Sequence, residues 1–244
     1  MESQAFISSD KKVEEINPRT QVLLVIASVP EKMPSSLYLS EEEKIRASRF
    51  VKKEVMHSFQ YQHHLLRILL SKWMDTSPEK IKFTFNPFGK PELPNAPFYF
   101  NCSRSGNQLA FYVGPQEGGV DIEIIRPSAP FNELAKQHFH SNEQDFISTD
   151  KDFFTIWTRK ESVLKSMGTG LQSKINDIDT TVNTIHKDGH TYEIASYQSN
   201  EKIISFAMSQ IDFQTPVCLS LCTKLDTNSL PLGPLASYKS NFKG

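Results

Sequence analysis

The alternation of apolar and polar residues divides the chain into segments with strand or helix character. Residues 21–29 form a short, nearly continuous apolar run, which predicts a buried strand. The S-x-x-E pattern at Ser40 to Glu43 then predicts the capped start of a helix. Apolar residues continue at three- and four-residue steps as far as Leu70. The length of this helical region predicts a break before Trp73.

Shorter segments follow, and they are separated by proline, glycine and asparagine. Strands are predicted at residues 81–85, 98–101, 109–113 and 119–125, helices between residues 131 and 167, and further strands near 180–185, 191–197, 203–211 and 217–221. We therefore predict an α+β fold with four regions. These regions are a polar tail at 1–20, an N-terminal α+β half at 21–117, a C-terminal α+β half at 118–225 and an extended tail at 226–244.

Composition limits the classes of protein to consider. The chain has 244 residues, of which 38% are hydrophobic and 23% charged, as is ordinary for a globular protein. It has no apolar stretch long enough to span a bilayer and no secretory pattern at its start, so we expect a cytoplasmic protein. The net charge of −1 predicts no general attraction to nucleic acid. The three cysteines lack C-x-x-C spacing, which argues against a disulfide framework or a zinc site.

Two carboxylates share one face of the predicted strand at 119–125. Because side chains alternate along a strand, Asp121 and Glu123 point away from Val120, Ile122 and Ile124. A half-exposed strand would show the same alternation without any site. In a cleft, two carboxylates about 7 Å apart would repel by about 2 kcal/mol at an effective dielectric near 20, which favours a bound cation. Oxygen ligands without histidine or cysteine suit Mg²⁺.

The last predicted helix carries a second group of chemical interest. Trp157, Glu161 and Lys165 follow at four-residue steps and share one face, and Gly168 ends the helix. An exposed Glu-to-Lys pair would explain the spacing without any function. The indole, however, indicates that this face is at least partly buried. A buried acid and base need each other, a metal or a ligand.

Four short motifs resemble those of the 4′-phosphopantetheinyl transferases. The words G-V-D-I-E at 119–123 and W-T-R-K-E-S-V-L-K at 157–165 resemble the two signature motifs of that family. Gly89-Lys90-Pro91 is similar to its G-K-P loop, and residues 100–106 are similar to its F-N-x-S-H-S-G turn. The chain length resembles the larger surfactin-type members. That resemblance implies two similar α+β halves packed as an intramolecular pseudo-dimer, and hence a monomer.

The resemblance implies an activity and a set of catalytic residues. The enzyme would transfer 4′-phosphopantetheine from coenzyme A to a serine of an apo acyl or peptidyl carrier protein, leaving 3′,5′-ADP. Asp121, Glu123 and Glu161 would hold Mg²⁺, and Glu161 could accept the serine proton directly or through a metal-bound water. Lys165 would assist the leaving phosphate. Glu143 aligns loosely with a further family acid near the carrier serine, although it could equally be a simple acid at a helix start.

The resemblance also implies contacts to coenzyme A. These are assigned to Arg46, Lys90, Pro91, Ser103, Arg104, Asp121, Lys160 and Lys165. Two positions depart from the family pattern: Arg104 replaces a usual histidine, and Ser58, after His57, replaces a frequent arginine. Arginine keeps the cationic character at every relevant pH, so we expect binding to be retained with an altered pH dependence. The basic stripe around Arg46 could instead be a solvated helix face.

Two other functions share parts of this evidence. A non-catalytic homologue could bind coenzyme A or carrier proteins without transfer, but the presence of Asp121, Glu161 and Lys165 argues against it. A metal-dependent phosphatase or nucleotide hydrolase would use the same acids and would need no carrier. The expected partners are coenzyme A and a carrier protein, whose acidic helix would bind basic and apolar groups near the cleft between the two halves. Neither a nucleic acid nor a membrane is expected.

Overall fold

A computed structural model describes residues 17–126, 131–170, 175–198 and 201–209 of the chain, with the backbone of 217–222. The predicted tail at 226–244 and most of the predicted tail at 1–20 lie outside these residues. Within them the fold is α+β, as predicted, with helices and mainly antiparallel sheets. No helix in these ranges has both the length and the apolar character that crossing a bilayer requires.

Ten strands and five α-helices follow one another in the described residues. The strands are β1 (Val22–Ser28), β2 (Thr84–Phe85), β3 (Pro91–Glu92), β4 (Tyr99–Ser105), β5 (Gln108–Gly114), β6 (Gly118–Ile124), β7 (Thr184–Lys187), β8 (His190–Gln198), β9 (Lys202–Ser209) and β10 (Val217–Cys222). The helices are α1 (Glu41–Ser48), α2 (Lys53–Met74), α3 (Phe131–His138), α4 (Ser141–Gln144) and α5 (Asp150–Met167). Short 3-10 helices occur at Pro78–Lys80 and Ile175–Asp177.

The capping box at Ser40 forms as predicted. The Ser40 hydroxyl accepts the Glu43 amide proton at 3.2 Å, and the Ser40 amide donates to the Glu43 carboxylate at 2.7 Å. The predicted break lies between Ser48 and Lys53, so α2 continues through Trp73. The apolar face of α2 then packs on the first sheet through Leu66, Leu69 and Phe111, among other residues.

Two four-stranded sheets pack against each other. The first has the order β10-β1-β5-β4, and the second has the order β6-β9-β8-β7. Leu24 and Tyr112 of the first sheet meet Val120, Ile122 and Ile204 of the second in one apolar cluster. As a result, β4 and β6, which are edge strands of different sheets, lie next to each other.

Strand β10 does not pair within the C-terminal half to which its sequence position assigns it. The sequence assigns this strand to the C-terminal half, but β10 pairs in parallel with β1 in the first sheet, with Val22 opposite Val217. Alternation along a strand indicates that it is buried but not which strand it joins. The first sheet therefore contains segments from both ends of the described chain.

Helix α5 covers the second sheet. Val163 and Leu164 pack with Ile194 and Ala207, and the aromatic residues at its start pack with α3. At its other end, the hairpin of β2 and β3 lies against the helix terminus, because the Asn86 side-chain amide donates to the Gly168 carbonyl at 2.9 Å. The G-K-P loop therefore lies at the C-terminal end of α5.

Candidate active site

The edge of β6 is joined to β4 by polar side chains. An edge strand leaves amide groups that need partners. The Asn101 side chain accepts the Val120 amide proton at 3.0 Å, and the Ser105 hydroxyl accepts the Ile124 amide proton at 3.1 Å. The Ser105 hydroxyl also donates to the Glu123 carboxylate at 2.6 Å. Residues 100–105 of the predicted turn therefore lie in a strand that fixes β6.

A glycine brings α5 close to β6. A Cβ atom on Gly119 would lie 2.1 Å from the Ser162 carbonyl oxygen and 2.5 Å from the Ser166 amide nitrogen. These are backbone atoms of the helix, so they cannot move aside individually. The absence of a side chain at this position allows the helix to approach the strand closely enough for Lys165 to reach β6.

Lys165, Asp121 and Ser103 form the centre of the site. The Lys165 ammonium lies 2.5 Å from Asp121 Oδ1, 2.9 Å from the Ser103 hydroxyl and 3.3 Å from the Val120 carbonyl oxygen. The Ser103 hydroxyl donates to the same Asp121 oxygen at 2.6 Å. Asp121 is only 3% exposed, and its Oδ2 atom has no hydrogen-bond partner among the described residues. A buried acceptor without a partner is costly, so this oxygen is available to a ligand.

Two more carboxylates face this centre. Burial raises the pKa of Glu161, the negative charges of Asp121 and Glu123 raise it further, and Lys165 opposes the shift. Burial also raises the pKa of Glu123, and the negative charge of Asp121 raises it further, while the hydrogen bond from Ser105 lowers it. Burial alone would lower the pKa of Lys165, but Asp121 and Glu161 outweigh burial and the pKa is raised. Three acids thus share the Lys165 ammonium group, and Glu123 has a second cation, the exposed Arg126, 3.6 Å away. A bound metal cation would relieve the remaining repulsion among the acids.

The donor set suits a hard divalent cation. Carboxylate oxygens, one of them the free Asp121 Oδ2, are the ligands that Mg²⁺ prefers. Within the described ranges, no three acidic, histidine or cysteine side chains are already arranged as a complete metal site. Since Mg²⁺ keeps several waters and commonly uses one or two carboxylates with a substrate phosphate, a complete protein cage is not required.

Arg104 lies on the opposite face of β4 in an aromatic setting. Its guanidinium donates to the Gln62 side chain at 3.0 Å and lies 5.4 Å from the Phe59 ring centre. Arg46 lies 5.3 Å from the same ring. Burial lowers the pKa of Arg104, and the positive charge of Arg46 lowers it further. Neither guanidinium forms an ion pair with a described carboxylate, so the two cations together can receive an anion.

The G-K-P loop reaches the end of α5. The half-buried Lys90 donates to the Ser166 carbonyl at 3.2 Å, and burial lowers its pKa. Pro91 begins β3 directly after it. Lys90 therefore contacts α5 at Ser166, the residue that directly follows Lys165.

The structure corrects the expected role of Lys160. Its side chain is 0% exposed and forms an ion pair with Glu143, also 0% exposed, at 2.7 Å. It is therefore not available to a nucleotide. The Glu143 carboxylate is used within the protein as well, since it completes a capping box with His140 at the start of α4 in addition to its pair with Lys160. Helical spacing places Lys160 on a different face from Glu161, but it does not indicate what that face meets.

Other features were only partly predictable. Trp157 is half-buried against Phe153, as its helical spacing predicts. The departure at Ser58 has a structural role, because its buried hydroxyl donates to the Gly106 carbonyl at 2.8 Å and links α2 to the β4–β5 turn. The roles of Asn101 and Ser105 were missed, although their alternation with Ser103 along one strand was a usable signal.

Comparison with known proteins identifies the family. The model of the 4′-phosphopantetheinyl transferase superfamily matches residues 118–222. A putative 4′-phosphopantetheinyl transferase, slr0495, of Synechocystis sp. is 31% identical over 172 residues, which cover 66% of this chain and 70% of that protein. The transferase Sfp of Bacillus subtilis is 31% identical over 159 residues, covering 62% and 69%. HetI of Nostoc sp. is 32% identical over 152 residues, covering 58% and 64%. The chain therefore belongs to the 4′-phosphopantetheinyl transferase superfamily.

Proposed function

We propose that the chain transfers 4′-phosphopantetheine from coenzyme A to a serine hydroxyl of an apo acyl or peptidyl carrier protein. The serine oxygen forms a bond to the β-phosphorus of coenzyme A, and the bond from that phosphorus to the 3′,5′-ADP oxygen breaks. The main support is the contact of Lys165 with both Asp121 and Ser103, on the strand and helix that carry the motifs. The names of the relatives support the same activity.

Asp121, Glu123 and Glu161 are the residues that would hold Mg²⁺. When bound, the metal would neutralise charge on the pyrophosphate oxygens. The unpartnered Asp121 Oδ2 supports this assignment, because it is an acceptor that the protein itself leaves unused. The raised pKa values of Glu123 and Glu161 support it as well, since burial and the neighbouring carboxylates disfavour the charged form of both acids in spite of Lys165 and, for Glu123, Arg126.

Glu161 and Lys165 are the residues that would move or hold protons. A carboxylate with a raised pKa is a stronger base, so Glu161 is suited to accept the serine proton, directly or through a water. Lys165, whose pKa is raised, stays charged and would bind the leaving phosphate oxygen of 3′,5′-ADP. Ser103, already hydrogen-bonded to Lys165, would contact the same phosphate region.

The remaining contacts to coenzyme A involve two basic regions. Arg104 and Arg46 lie over one aromatic ring without a carboxylate partner among the described residues, which suits a phosphate group. Lys90 and Pro91 are assigned to the nucleotide, because the G-K-P hairpin lies at the end of α5. Lys160 is excluded from this set by its burial.

We further propose that residues 21–117 and 118–225 form two related halves and that the protein is a cytoplasmic monomer. The presence of two four-stranded sheets supports the division. The pairing of β10 with β1 qualifies it, because the last described strand returns to the first sheet.

Incubation with coenzyme A, Mg²⁺ and a panel of apo carrier proteins tests this function. Mass spectrometry should detect the added phosphopantetheine arm, and Asp121→Ala and Glu161→Ala should each lower the rate at least about a hundredfold. Glu133→Ala, at an exposed position of α3, is the control and should transfer normally. Coenzyme A binding without transfer to any carrier would indicate a non-catalytic homologue. Phosphate release without a carrier would indicate a hydrolase.

A further inference from the structure

A buried ion pair lies beneath the helix that carries Glu161. The Lys160 ammonium lies 2.7 Å from Glu143 Oε2 and also donates to the carbonyl oxygens of Ile175, at 2.9 Å, and Ile178. These three acceptors use its three protons. Both side chains are 0% exposed, and burial lowers the pKa of Lys160 while Glu143 opposes the shift.

Glu143 connects this pair to a neighbouring loop. Its Oε1 atom accepts both the amide proton and the hydroxyl proton of Thr180, each at 2.7 Å. Its Oε2 atom accepts the His140 amide proton at 2.8 Å in addition to Lys160. Both carboxylate oxygens are therefore fully used within the protein, and the pair joins α4, α5 and the segment 175–180.

Arg159 holds the same loop from the preceding helix position. Its guanidinium donates to the carbonyl oxygens of Thr180 and Val182, each at 2.7 Å, and to the Asn183 side chain at 2.9 Å. Burial lowers its pKa to about 10, so it remains charged at neutral pH. Two consecutive cations of α5 are thus bound to one segment, residues 175–183.

These contacts fix the rotation of α5 about its axis. Successive residues of an α-helix differ in direction by about 100°, so fixing Arg159 and Lys160 also fixes the direction of Glu161. We propose that Glu143, Lys160 and Arg159 are positioning residues that hold the Glu161 carboxylate towards Asp121 and Glu123. This inference rests on the proposed function. A displacement of about 1 Å at such a site can lower a rate about a hundredfold.

A matched pair elsewhere in the chain separates positioning from stability. Arg67 of α2 and Glu43 of α1 are also buried and form an ion pair at 2.8 Å, on helices other than the elements that carry the metal-binding acids. Arg67 likewise donates to two loop carbonyl oxygens, those of Pro78 and Ile81. Removing both charges of a pair avoids leaving either of its two members buried without its partner. The test variant is Lys160→Met with Glu143→Gln, and the control is Arg67→Met with Glu43→Gln.

The readouts are Mn²⁺ affinity in the presence of coenzyme A, measured by electron paramagnetic resonance, and the kcat and KM of transfer. We expect the test variant to fold by circular dichroism, to bind Mn²⁺ at least about tenfold more weakly and to lose at least about tenfold in kcat. The control should lose thermal stability but stay within about twofold in Mn²⁺ affinity and kcat at saturating coenzyme A. Its KM is not used in the comparison, because Glu43 caps the helix that carries Arg46. A folded test variant with Mn²⁺ affinity and kcat within about twofold of the wild type would overturn the positioning role. If the control loses as much as the test variant, the effect is one of stability, and the role is again overturned. A wild-type chain that binds no Mn²⁺ would instead overturn the metal assignment and this inference with it.

Discussion

Arg104 is a permanent cation at a position where the family usually has a histidine. We expect Arg104→Ala to weaken coenzyme A binding and Arg104→His to restore most of it near pH 6 but less at pH 8. A histidine with an ordinary pKa near 6.5 loses its charge across that interval. Calorimetric titration with coenzyme A at both pH values measures this.

The control for that titration is Lys82→Ala. Lys82 is exposed and follows the C-terminal end of α2, whereas Arg104 contacts Phe59 and Gln62 in the N-terminal half of that helix. Its affinity should equal that of the wild type. Unchanged affinity in the Arg104→Ala variant would remove Arg104 from the coenzyme A site.

At the level of residues, the sequence predicts those parts of the site whose members are close together in the chain. Alternation along β6 placed Asp121 and Glu123 together, and four-residue steps along α5 placed Glu161 near Lys165. Both relations depend only on neighbours in the sequence. The partners of Lys160 could not be predicted in this way, because Glu143 precedes it by 17 positions (160 − 143) and Ile178 follows it by 18.

At the level of elements, α2 contains a buried histidine that should make stability depend on pH. His64 accepts the Tyr38 amide proton through Nδ1 at 3.0 Å, and burial lowers its pKa to about 4. Between pH 6.5 and 4 the unfolded chain therefore binds more protons than the folded chain, so stability falls as the pH falls. The loss is about 1.4 kcal/mol per pH unit for one proton.

His64→Asn tests this, since an asparagine oxygen can still accept the Tyr38 amide proton. Urea unfolding at pH 7 and pH 5 should show a smaller loss of stability in the variant than in the wild type. Glu43, whose pKa is lowered to about 2, affects stability only below about pH 4.5 and does not interfere in this range. An equal loss in both proteins would show that His64 is not the group responsible.

The contact of β6 with α5 gives a second prediction at this level. Gly119→Ala would place a Cβ atom against two backbone atoms of α5, so the strand and helix must separate. We expect a loss of about 1–3 kcal/mol in the free energy of unfolding, as for other overpacked sites, and a fall of at least about tenfold in transfer rate.

Gly189→Ala provides the matched control for this change. Gly189 has a positive φ of 77°, so alanine is strained there, but a Cβ atom would have no neighbour within 4 Å. The control should lose a similar amount of stability and keep its transfer rate. Normal transfer by Gly119→Ala would contradict the need for close contact between β6 and α5.

The types of element were largely predictable, whereas their partners were not. Residues 81–85 were predicted as a strand, but only Thr84–Phe85 forms one, because Ile81 is buried in the core below α2 and its carbonyl oxygen accepts from Arg67. The sequence predicts that β10 is a strand, but it does not predict that this strand pairs with β1 in the first sheet. Pairing between distant segments depends on the whole fold, and apolar periodicity carries no information about it.

At the level of the whole molecule, charge is unevenly distributed. The chain has a net charge of −1, yet exposed basic residues are concentrated where α1 meets α2. They are Arg46, Arg49, Lys52 and Lys53, with one exposed acid, Glu54, among them. Three apolar side chains beside them are also exposed, namely those of Ile45, Val51 and Val55, and Val51 is 100% exposed. This basic and apolar corner is complementary to the acidic helix expected of a carrier protein.

Lys52→Glu with Lys53→Glu should therefore slow transfer to an acidic carrier at subsaturating carrier and saturating coenzyme A, because exposed charges mainly affect the rate of encounter. Lys80→Glu with Lys82→Glu makes the same change in charge at two exposed lysines outside this corner and is the control. Raising the ionic strength from about 0.05 to 0.5 M shortens the Debye length from roughly 14 to 4 Å. The wild-type rate should fall over this range with the acidic carrier and change little with a charge-neutralised carrier. Equal rates and equal salt dependence with both carriers would contradict acidic recognition. Equal slowing by both double variants would show that the net charge of the protein determines the rate, and not the corner formed by α1 and α2.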